Sequence, residues 1–274
     1  MELVLIFLLI EVIHGNSNFQ ANIVGGALAR INEYPHSAFL GVTCDSVDSS
    51  DTEYWSCGGS ILNQRIIITA AHCLYGCRES SYITVNVGDS NKNHGAATLS
   101  KRFVVHESYT EQSVINDLGL IFLRRDIKFG PNVKRIILMA KPPLNEAVQV
   151  AGWGKIDEKS TPTVSLKVAR QFLLGTKQCI EILKSKPKHT ICAQPQEAAN
   201  GYVARGDSGS ALLVRKSIQV GVVSYRNPLQ APSIGVYTYL PHFLEWIHRM
   251  AKMMYAATKT VKLKKKENSN KKFL

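Results

Sequence analysis

The chain has 274 residues, of which 45% are hydrophobic and 20% charged, a composition typical of folded globular proteins that excludes a wholly disordered chain. Its length allows one large domain or two ordinary ones, and it excludes neither an enzyme nor a binding module. The net charge is +12, but residues 249–274 hold nine Lys/Arg and a single Glu, so +8 of it belongs to the C-terminal end.

The N-terminal segment carries an apolar run at residues 3–10, and small residues follow at Gly15 and Ser17. The run is too short to cross a bilayer whose hydrocarbon core is about 30 Å thick. It predicts a signal peptide over residues 1–17, ending between 15 and 17, and hence a secreted, extracellular protein. Because Glu2 stands where a positive residue is usual, a buried N-terminal segment is the alternative. No later stretch is long and apolar enough to predict a transmembrane span.

Residues 23–239 consist of short β-branched or apolar runs separated by Gly, Pro, Asn and Ser, such as YITVNVG, LGLIFL and ALLVRKSIQVGVVSY. Repeated short strands at this spacing predict an all-β sandwich or barrel. We expect a helix only near the end, from Pro241 to about residue 256, because apolar residues recur there at intervals of three and four. These residues are Phe243, Trp246, Ile247, Met250 and Met253.

Residues 257–274 lose this periodicity and are polar and cationic, which predicts a flexible basic tail. Such a run either aids solubility or docks the protein on an anionic membrane, glycan or nucleic acid through salt-dependent attraction. If the tail docks, we expect an anionic surface or a glycan as its partner, and we predict no dedicated nucleic-acid site.

The six cysteines form an even set, which allows fifteen pairings. Pairing would imply an oxidising compartment. Zinc binding is the alternative, but the sequence lacks paired Cys-x-x-Cys units with partner histidines, so we predict disulfides and neither a metal nor another cofactor. The cysteines are Cys44, Cys57, Cys73, Cys77, Cys179 and Cys192.

Three separate segments together indicate nucleophilic catalysis by a serine. A serine hydroxyl needs a base to take its proton, and a carboxylate must orient that base. The segment TAAHC supplies His72, NDLGL supplies Asp117 and GDSG supplies Ser208, spaced 45 and 91 residues apart. Each segment alone is ordinary, because most histidines and turn aspartates serve packing, but the ordered combination predicts a catalytic triad.

Further motifs lie between residues 23 and 248. They are IVGG at 23–26, WSCGGSIL, VAGWG ending at Gly154, TICA ending at Ala193, GVVSY ending at Tyr225, and GVYTYL followed by Trp246. With the three segments above, the chain resembles the chymotrypsin/trypsin family of serine peptidases. The resemblance implies an all-β fold of two packed six-stranded antiparallel β-barrels with a C-terminal helix, a peptidase domain over residues 23–256, and protein or peptide substrates.

The resemblance also implies how the reaction would be supported. The backbone N–H groups of Gly206 and Ser208 would form the oxyanion hole. A short propeptide, residues 18–22, would be removed by cleavage before Ile23, whose new ammonium group would pair with Asp207. Because the preceding residue is Asn22 and no Lys or Arg lies near it, the activating protease would accept Asn, or a trimming route would replace it.

The resemblance implies disulfides between Cys57 and Cys73 and between Cys179 and Cys192. Cys44 and Cys77, which the family fold would bring together on neighbouring loops, are expected to pair. A free thiol or an intermolecular bond is the alternative for them.

The specificity pocket departs from the family pattern. Trypsin-like members have Asp where this chain has Tyr202, and a glycine two residues after Ser224 where this chain has Arg226, while the glycine of the opposite wall is kept as Gly235. A narrowed pocket would favour small residues, and an inward guanidinium would favour acidic ones. A further departure is Ser210, which stands where the family usually has a second glycine after the nucleophile. Together these departures keep open a second hypothesis, a non-catalytic serine-protease homologue that acts as a binding protein.

Overall fold

The structure is a computed structural model that describes residues 26–155, 161, 163–185, 188–197 and 201–270, with the backbone alone for residues 258–270. The predicted signal peptide, the predicted propeptide and Ile23 lie outside the described residues.

Six antiparallel strands close the first barrel in the order β2-β3-β4-β7-β6-β5. Strands β4 and β7, whose sequences are IIIT and GLIFL, are buried at every position. Their β-branched and aromatic residues favour strands at the centre of a packed sheet. The strands of this barrel are β2 Ser37–Asp45, β3 Thr52–Asn63, β4 Ile66–Thr69, β5 Tyr82–Val87, β6 Ala96–Val105 and β7 Gly119–Leu123.

A second set of six antiparallel strands runs β10-β11-β14-β13-β12-β9 and closes through the pairing of β9 with β10. The strands are β9 Val148–Gly152, β10 Lys167–Leu174, β11 Thr190–Gln194, β12 Ala211–Val214, β13 Ile218–Arg226 and β14 Gly235–Tyr239. Two short strands, β1 (Ala27–Leu28) on β10 and β8 (Ile137–Leu138) on β13, extend this sheet. The predicted fold class, two packed six-stranded barrels, is confirmed.

The two barrels share one apolar core. Leu40 and Phe122 of the first barrel belong to the same cluster of buried side chains as Leu213 and Val222 of the second. Polar contacts also cross the junction, where the buried Ser60 hydroxyl donates to Gln219 Oε1 at 2.6 Å. A cleft between barrels held in this way has walls of fixed geometry.

The described residues form two α-helices, α1 Thr176–Leu183 and α2 Leu244–Asn270. The expectation of helix only at the C-terminus was therefore wrong, because α1 interrupts the strands and buries Cys179 and Leu183, four residues apart, on one side. Short 3-10 helices lie at Ile31–Glu33, Ala71–Cys73 and Leu240–Phe243. Neither helix is long and apolar enough to cross a membrane.

Helix α2 is longer than predicted, since it continues through Asn270 instead of ending near residue 256. The flexible basic tail predicted from residue 257 stays a prediction, and the backbone of residues 257–270 is helical. Intrinsic preference favours this helix, because the stretch contains five Lys, and α2 contains neither Gly nor Pro to stop a helix.

The apolar face of α2 differs by one residue from the predicted one. Phe243, Trp246 and Ile247 are buried as expected, but Met254 is 3% exposed and Met253 is 58% exposed. At 3.6 residues per turn, position 254 follows 247 after nearly two full turns, so Met254 returns to the buried face and Met253 does not. The Arg102 guanidinium also donates to the Met254 carbonyl at 2.7 Å, which holds α2 against the first barrel.

Three disulfides join Cys44 to Cys77, Cys57 to Cys73 and Cys179 to Cys192. The pairings expected from the family resemblance are confirmed, and no free thiol is found among the described cysteines. The bond between Cys57 and Cys73 ties β3 to the 3-10 helix that carries His72.

Met254→Ala should lower the free energy of unfolding by about 2–3 kcal/mol, because it removes a buried side chain from a packed interface. Met253→Ala removes an exposed side chain of the same type and should change it by less than about 0.5 kcal/mol. Urea unfolding of both variants checks this prediction. Equal effects of the two substitutions would contradict the assignment of the buried face.

Candidate active site

His72 lies in the 3-10 helix Ala71–Cys73, directly after the buried strand β4. Its backbone N–H donates to Asp117 Oδ1 at 2.9 Å, and its ring Nδ1 lies 2.8 Å from Asp117 Oδ2. One carboxylate thus fixes both the main chain and the ring. The His72 side chain is 30% exposed whereas that of Asp117 is 0% exposed, so the free edge of the imidazole can reach the cleft.

Asp117 is held from both barrels. Besides His72 of the first barrel, the Ser224 hydroxyl on β13 donates to Asp117 Oδ2 at 2.6 Å, and the Thr238 hydroxyl on β14 donates to the Asp117 carbonyl at 2.8 Å. Burial lowers the pKa of His72, but the charge of Asp117 and its hydrogen bond together raise that pKa above the ordinary value of 6.5. The pair therefore stabilises a protonated imidazole.

Ser208 lies on a turn that is fastened to both barrels. Its carbonyl accepts from Gly58 N–H at 2.7 Å, and the next residue, Gly209, donates to the Val223 carbonyl at 2.9 Å. Gly209 has φ of +83°, and a Cβ there would lie 2.2 Å from Thr69 Oγ1. Only glycine fits this position, because both the backbone conformation and the space exclude a side chain.

The contacts of this turn bring Ser208 close to His72. Cys73 Sγ lies 3.8 Å from the Ser208 carbonyl oxygen, and the two sulfur atoms of the Cys57–Cys73 disulfide lie within 4.8 Å of a His72 ring nitrogen. No hydrogen bond joins the Ser208 hydroxyl to the imidazole among the contacts of the described residues. Such bonds are often long in unliganded enzymes and shorten when substrate binds.

Two backbone donors beside Ser208 are unused. Neither the Gly206 N–H nor the Ser208 N–H donates to any group in the described part of the chain. The preceding carbonyl, of Arg205, accepts from Lys155 N–H at 2.8 Å, which turns the Gly206 N–H of the same peptide plane away from Lys155. Gly206 has φ of +99°, a conformation that favours glycine.

Asp207 is completely buried beneath the turn. Its two carboxylate oxygens accept from Gly154 N–H at 2.8 Å and from Ala204 N–H at 2.9 Å. A Cβ at Gly152 or Gly154 would lie 2.2–2.3 Å from this carboxylate, so both glycines of VAGWG make room for it. Burial raises the pKa of Asp207 to about 6, although the two N–H groups and the charge of Arg226 lower it in part.

A cavity of about 210 Å³ lies beside Ser208 and is lined by Ser224 and Arg226, two of the predicted pocket residues. The Arg226 guanidinium lies over the Tyr202 ring, 4.9 Å from its centroid, and donates to the Pro232 carbonyl. The charged group therefore occupies the space that a glycine would leave open. Ser224 also lines the cavity but is nearly completely buried. Its hydroxyl donates to Asp117 and is therefore not directed at a ligand in the cavity.

Gly235, which the sequence predicts to form the opposite wall of the specificity pocket, lies against a tyrosine ring. It pairs with Arg226 across β13 and β14, and a Cβ there would lie 2.6 Å from Tyr237 Oη. The glycine makes room for a buried tyrosine ring, and Gly235 is not among the residues that line the cavity.

One cluster of three potential metal ligands occurs among the described residues, formed by Cys57, His72 and Cys73. Its two cysteines are joined to each other in a disulfide. It therefore offers only the histidine nitrogen, and the thiolates that zinc prefers are not available there.

The sequence predicts most of the residues that meet here but not the residues that hold them in place. Thr238, Gly152 and Gly154 belong to motifs of the sequence, which assign them no role. The two glycines could have been found, because glycines on either side of a tryptophan at a strand end indicate a close approach by another group. The group that approaches, Asp207, is 53 residues away along the chain from Gly154.

Comparisons with known proteins agree with this architecture. A family model described as Trypsin matches residues 23–247. Trypsin delta of Drosophila erecta is 33% identical over 238 residues, which are 84% of this chain and 88% of that protein. Chymotrypsin of Phaedon cochleariae is 27% identical over 235 residues, which are 82% of this chain and 80% of that protein.

Two solved structures share the fold. The scabies mite inactivated protease paralogue S-D1 superimposes with a TM-score of 0.73 at 25% identity, over 84% of this chain and 97% of that one. A structure of HL collagenase superimposes with a TM-score of 0.71 at 22% identity, over 84% of this chain and 98% of that one. At that identity the second likeness concerns the fold alone.

In the chain not yet cleaved at Ile23, Asp207→Asn should flatten the pH dependence of stability. Because burial raises the pKa of Asp207 to about 6, the native state holds this proton more tightly than the unfolded state does. The stabilisation present below about pH 4 is lost as the pH rises through about 6, and it amounts to about 3 kcal/mol. Urea unfolding between about pH 4 and pH 8 measures the difference from the parent chain.

The exposed residue Asp51 provides the matched control, since Asp51→Asn removes a carboxylate that is not buried. It should leave the slope of the parent chain unchanged. Parallel slopes for the parent and Asp207→Asn would contradict the buried, unpaired state of this carboxylate.

Proposed function

Because the chain belongs to the trypsin family of serine peptidases, we propose that it is a secreted endopeptidase, made as a zymogen, with Ser208, His72 and Asp117 as its catalytic triad. The single observation that carries the proposal is the pairing of His72 with the buried Asp117 at 2.8 Å. This pairing supplies the oriented base that a serine nucleophile requires.

In the proposed mechanism, the Ser208 oxygen attacks the carbonyl carbon of the peptide bond while its proton passes to His72 Nε2. Asp117 stabilises the imidazolium that forms, in keeping with the raised pKa of His72. The carbonyl oxygen, now negative, receives hydrogen bonds from the Gly206 and Ser208 N–H groups. Each such donor stabilises the transition state by about 2.7–4 kcal/mol.

The second half of the reaction uses the same groups in reverse. The imidazolium gives its proton to the leaving amine as the carbon–nitrogen bond breaks, and an acyl-enzyme remains on Ser208. A water molecule then attacks the ester, again with His72 as base, and the serine is released. The only groups needed are those already gathered around Ser208.

The zymogen part of the proposal rests on Asp207. Its completely buried carboxylate is unfavourable when charged, as its raised pKa indicates, and a nearby ammonium group would reverse that cost. Cleavage before Ile23 would create such a group. Asp207 sits between Gly206 and Ser208, so a pair with Ile23 would brace the turn that presents both oxyanion donors.

We propose that the primary pocket prefers small or acidic residues. The Arg226 guanidinium packed over Tyr202 narrows the cavity beside Ser208, which disfavours large aromatic side chains. It also places a forked donor set near the cavity, and that set matches a carboxylate. None of the described residues that line this cavity is acidic, which disfavours cleavage after Lys or Arg.

A second candidate function is a non-catalytic homologue that binds partners through the same cleft. The observation that favours it is the missing hydrogen bond between Ser208 and His72, together with the likeness to a structure described as an inactivated protease paralogue. Docking of the basic segment after residue 256 on an anionic surface stays a separate prediction.

Covalent labelling by a fluorophosphonate probe tests the peptidase proposal. Protein that begins at Ile23 should be labelled, and the rate should rise with pH with a midpoint above 6.5, because a protonated His72 cannot act as base. The uncleaved chain should react at least about 100-fold more slowly, since an oxyanion donor that is badly placed costs about that factor.

The control for this labelling is Ser208→Ala, which should abolish it. If folded protein beginning at Ile23 is not labelled, the chain is not an active peptidase and the binding-protein alternative gains. If both forms are labelled equally, the enzyme stands but the zymogen proposal is wrong.

Arg226→Gly tests the proposed pocket preference in a peptide library read by mass spectrometry. The parent should cleave after small or acidic residues, and the variant should lose the acidic preference while cleavage after large apolar residues rises by about tenfold or more. Arg135→Gly, at an exposed position outside the cavity, should behave like the parent. Cleavage by the parent mainly after aromatic or basic residues would overturn the preference.

A further inference from the structure

A second cavity, of about 270 Å³, lies on the other side of the Ser208 turn. Three of its lining residues are cationic, Lys92, Lys155 and Arg205, and we call it the cationic cavity. Its remaining walls are mainly aromatic, and no acidic residue is among the described residues that line it. The other lining residues are Tyr54, Trp55, Ser56, Trp153 and Gly206.

The segments that carry these cations are fixed in place. The Asn86 side chain donates to the Lys92 carbonyl at 2.7 Å, and Lys155 N–H donates to the Arg205 carbonyl at 2.8 Å. The Trp153 indole N–H donates to the Ser90 carbonyl at 2.8 Å, which holds the ring between them. A ligand would therefore find the positive charges already gathered, which lowers the cost of binding.

None of the three cations forms an ion pair with an acidic residue in the described part of the chain. Lys92 is half-buried, and its Nζ lies 5.1 Å from the centroid of the Phe39 ring. Burial lowers the pKa of Lys92, as expected for a cation that has lost water without gaining an anion. Three positive charges in one cavity repel one another, and no described acidic residue offsets them, so entry of a negative group is favourable.

The position of the cationic cavity relates it to the cleaved bond. Gly206 lines it, whereas Ser208 lines the cavity that contains Arg226, and Arg205 borders both. If the Arg226 cavity takes the residue before the cleaved bond, a peptide that continues past Ser208 enters the cationic cavity. An extended segment of three residues spans about 10 Å, which is enough to place a side chain there.

We propose that the cationic cavity binds acidic side chains of the substrate in the three residues after the cleaved bond. The inference rests on the proposed peptidase function, since it takes the Arg226 cavity as the primary pocket. Carboxylates suit this site because the Arg205 guanidinium offers a forked donor set and the two lysines add point charges. The aromatic walls exclude part of the water that would otherwise screen the attraction.

A binding experiment tests this without requiring catalysis. Protein beginning at Ile23 and carrying Ser208→Ala is titrated with two fluorescently labelled peptides, identical except for three Glu or three Gln after the cleavage position. The Glu peptide should bind about five- to twentyfold more tightly at low salt, because each partly exposed ion pair contributes a factor of about two to five. The preference should fall at about 0.5 M NaCl, where screening is strong.

Charge variants show whether the preference belongs to this cavity. Lys92→Gln with Lys155→Gln should reduce it to less than about twofold, and Lys92→Arg with Lys155→Arg should largely keep it, which guards against a folding defect. Lys177→Gln, at an exposed position on α1 outside both cavities, controls for the overall positive charge and should leave the preference unchanged.

A short p-nitroanilide has no residues after the cleaved bond, so its hydrolysis by protein that begins at Ile23 and keeps Ser208 tests the peptidase proposal separately from the acidic site. Hydrolysis together with equal binding of the two peptides would overturn the acidic site and leave the peptidase intact. Absence of hydrolysis together with a charge-dependent Glu preference would overturn the peptidase and keep the cationic cavity as a binding site. An equal loss of preference in the Lys177→Gln control would also overturn the site.

Discussion

The burial of Asp117 between the two barrels is the interaction on which the rest of the site depends. A carboxylate removed from water is costly unless hydrogen bonds compensate it. Here the compensation comes from His72 on one barrel and from Ser224 on the other, while Thr238 holds the adjoining main chain. The set of hydrogen bonds around Asp117 is therefore complete only when the barrels are packed, so the candidate site is fully formed only in the packed fold.

The two buried aspartates of the cleft show how environment separates similar groups. Asp117 has a histidine beside it and supports a positive charge, whereas Asp207 has only N–H donors at hydrogen-bond distance among the described residues. The complete burial of Asp207 raises its pKa to about 6, although the two N–H donors lower it in part. It also explains the glycines of VAGWG, since any side chain at Gly152 or Gly154 would occupy the volume that the carboxylate needs. A buried carboxylate that has only N–H donors at hydrogen-bond distance among the described residues is suited to respond to a new cation.

Positive charge surrounds the Ser208 turn on both sides. Arg226 lines one cavity, Lys92 and Lys155 line the other, and Arg205 lines both, while none of the described residues that line them is acidic. Most of the net charge of +12 belongs to the C-terminal segment, yet the charges that border the two cavities are these four. In the proposed peptidase, electrostatic complementarity of this kind would select among substrates and speed their encounter more than it adds to affinity.

The sequence by itself determined the triad candidates, the strand-rich fold and, through the family resemblance, the disulfide pairs, because motifs and strand periodicity are local properties that can be read along the chain. It did not determine where helices end or which methionine of α2 is buried, since continuous helix preference and a one-residue shift of phase leave little trace in a pattern. Only the tertiary structure placed Arg226 over Tyr202 and gathered Lys92, Lys155 and Arg205 around one cavity. Arg226 ends β13, Tyr202 and Arg205 share the segment before Ser208, and Lys92 and Lys155 lie on two other loops. Their proximity follows from how the barrels close and pack, which no local stretch of sequence encodes.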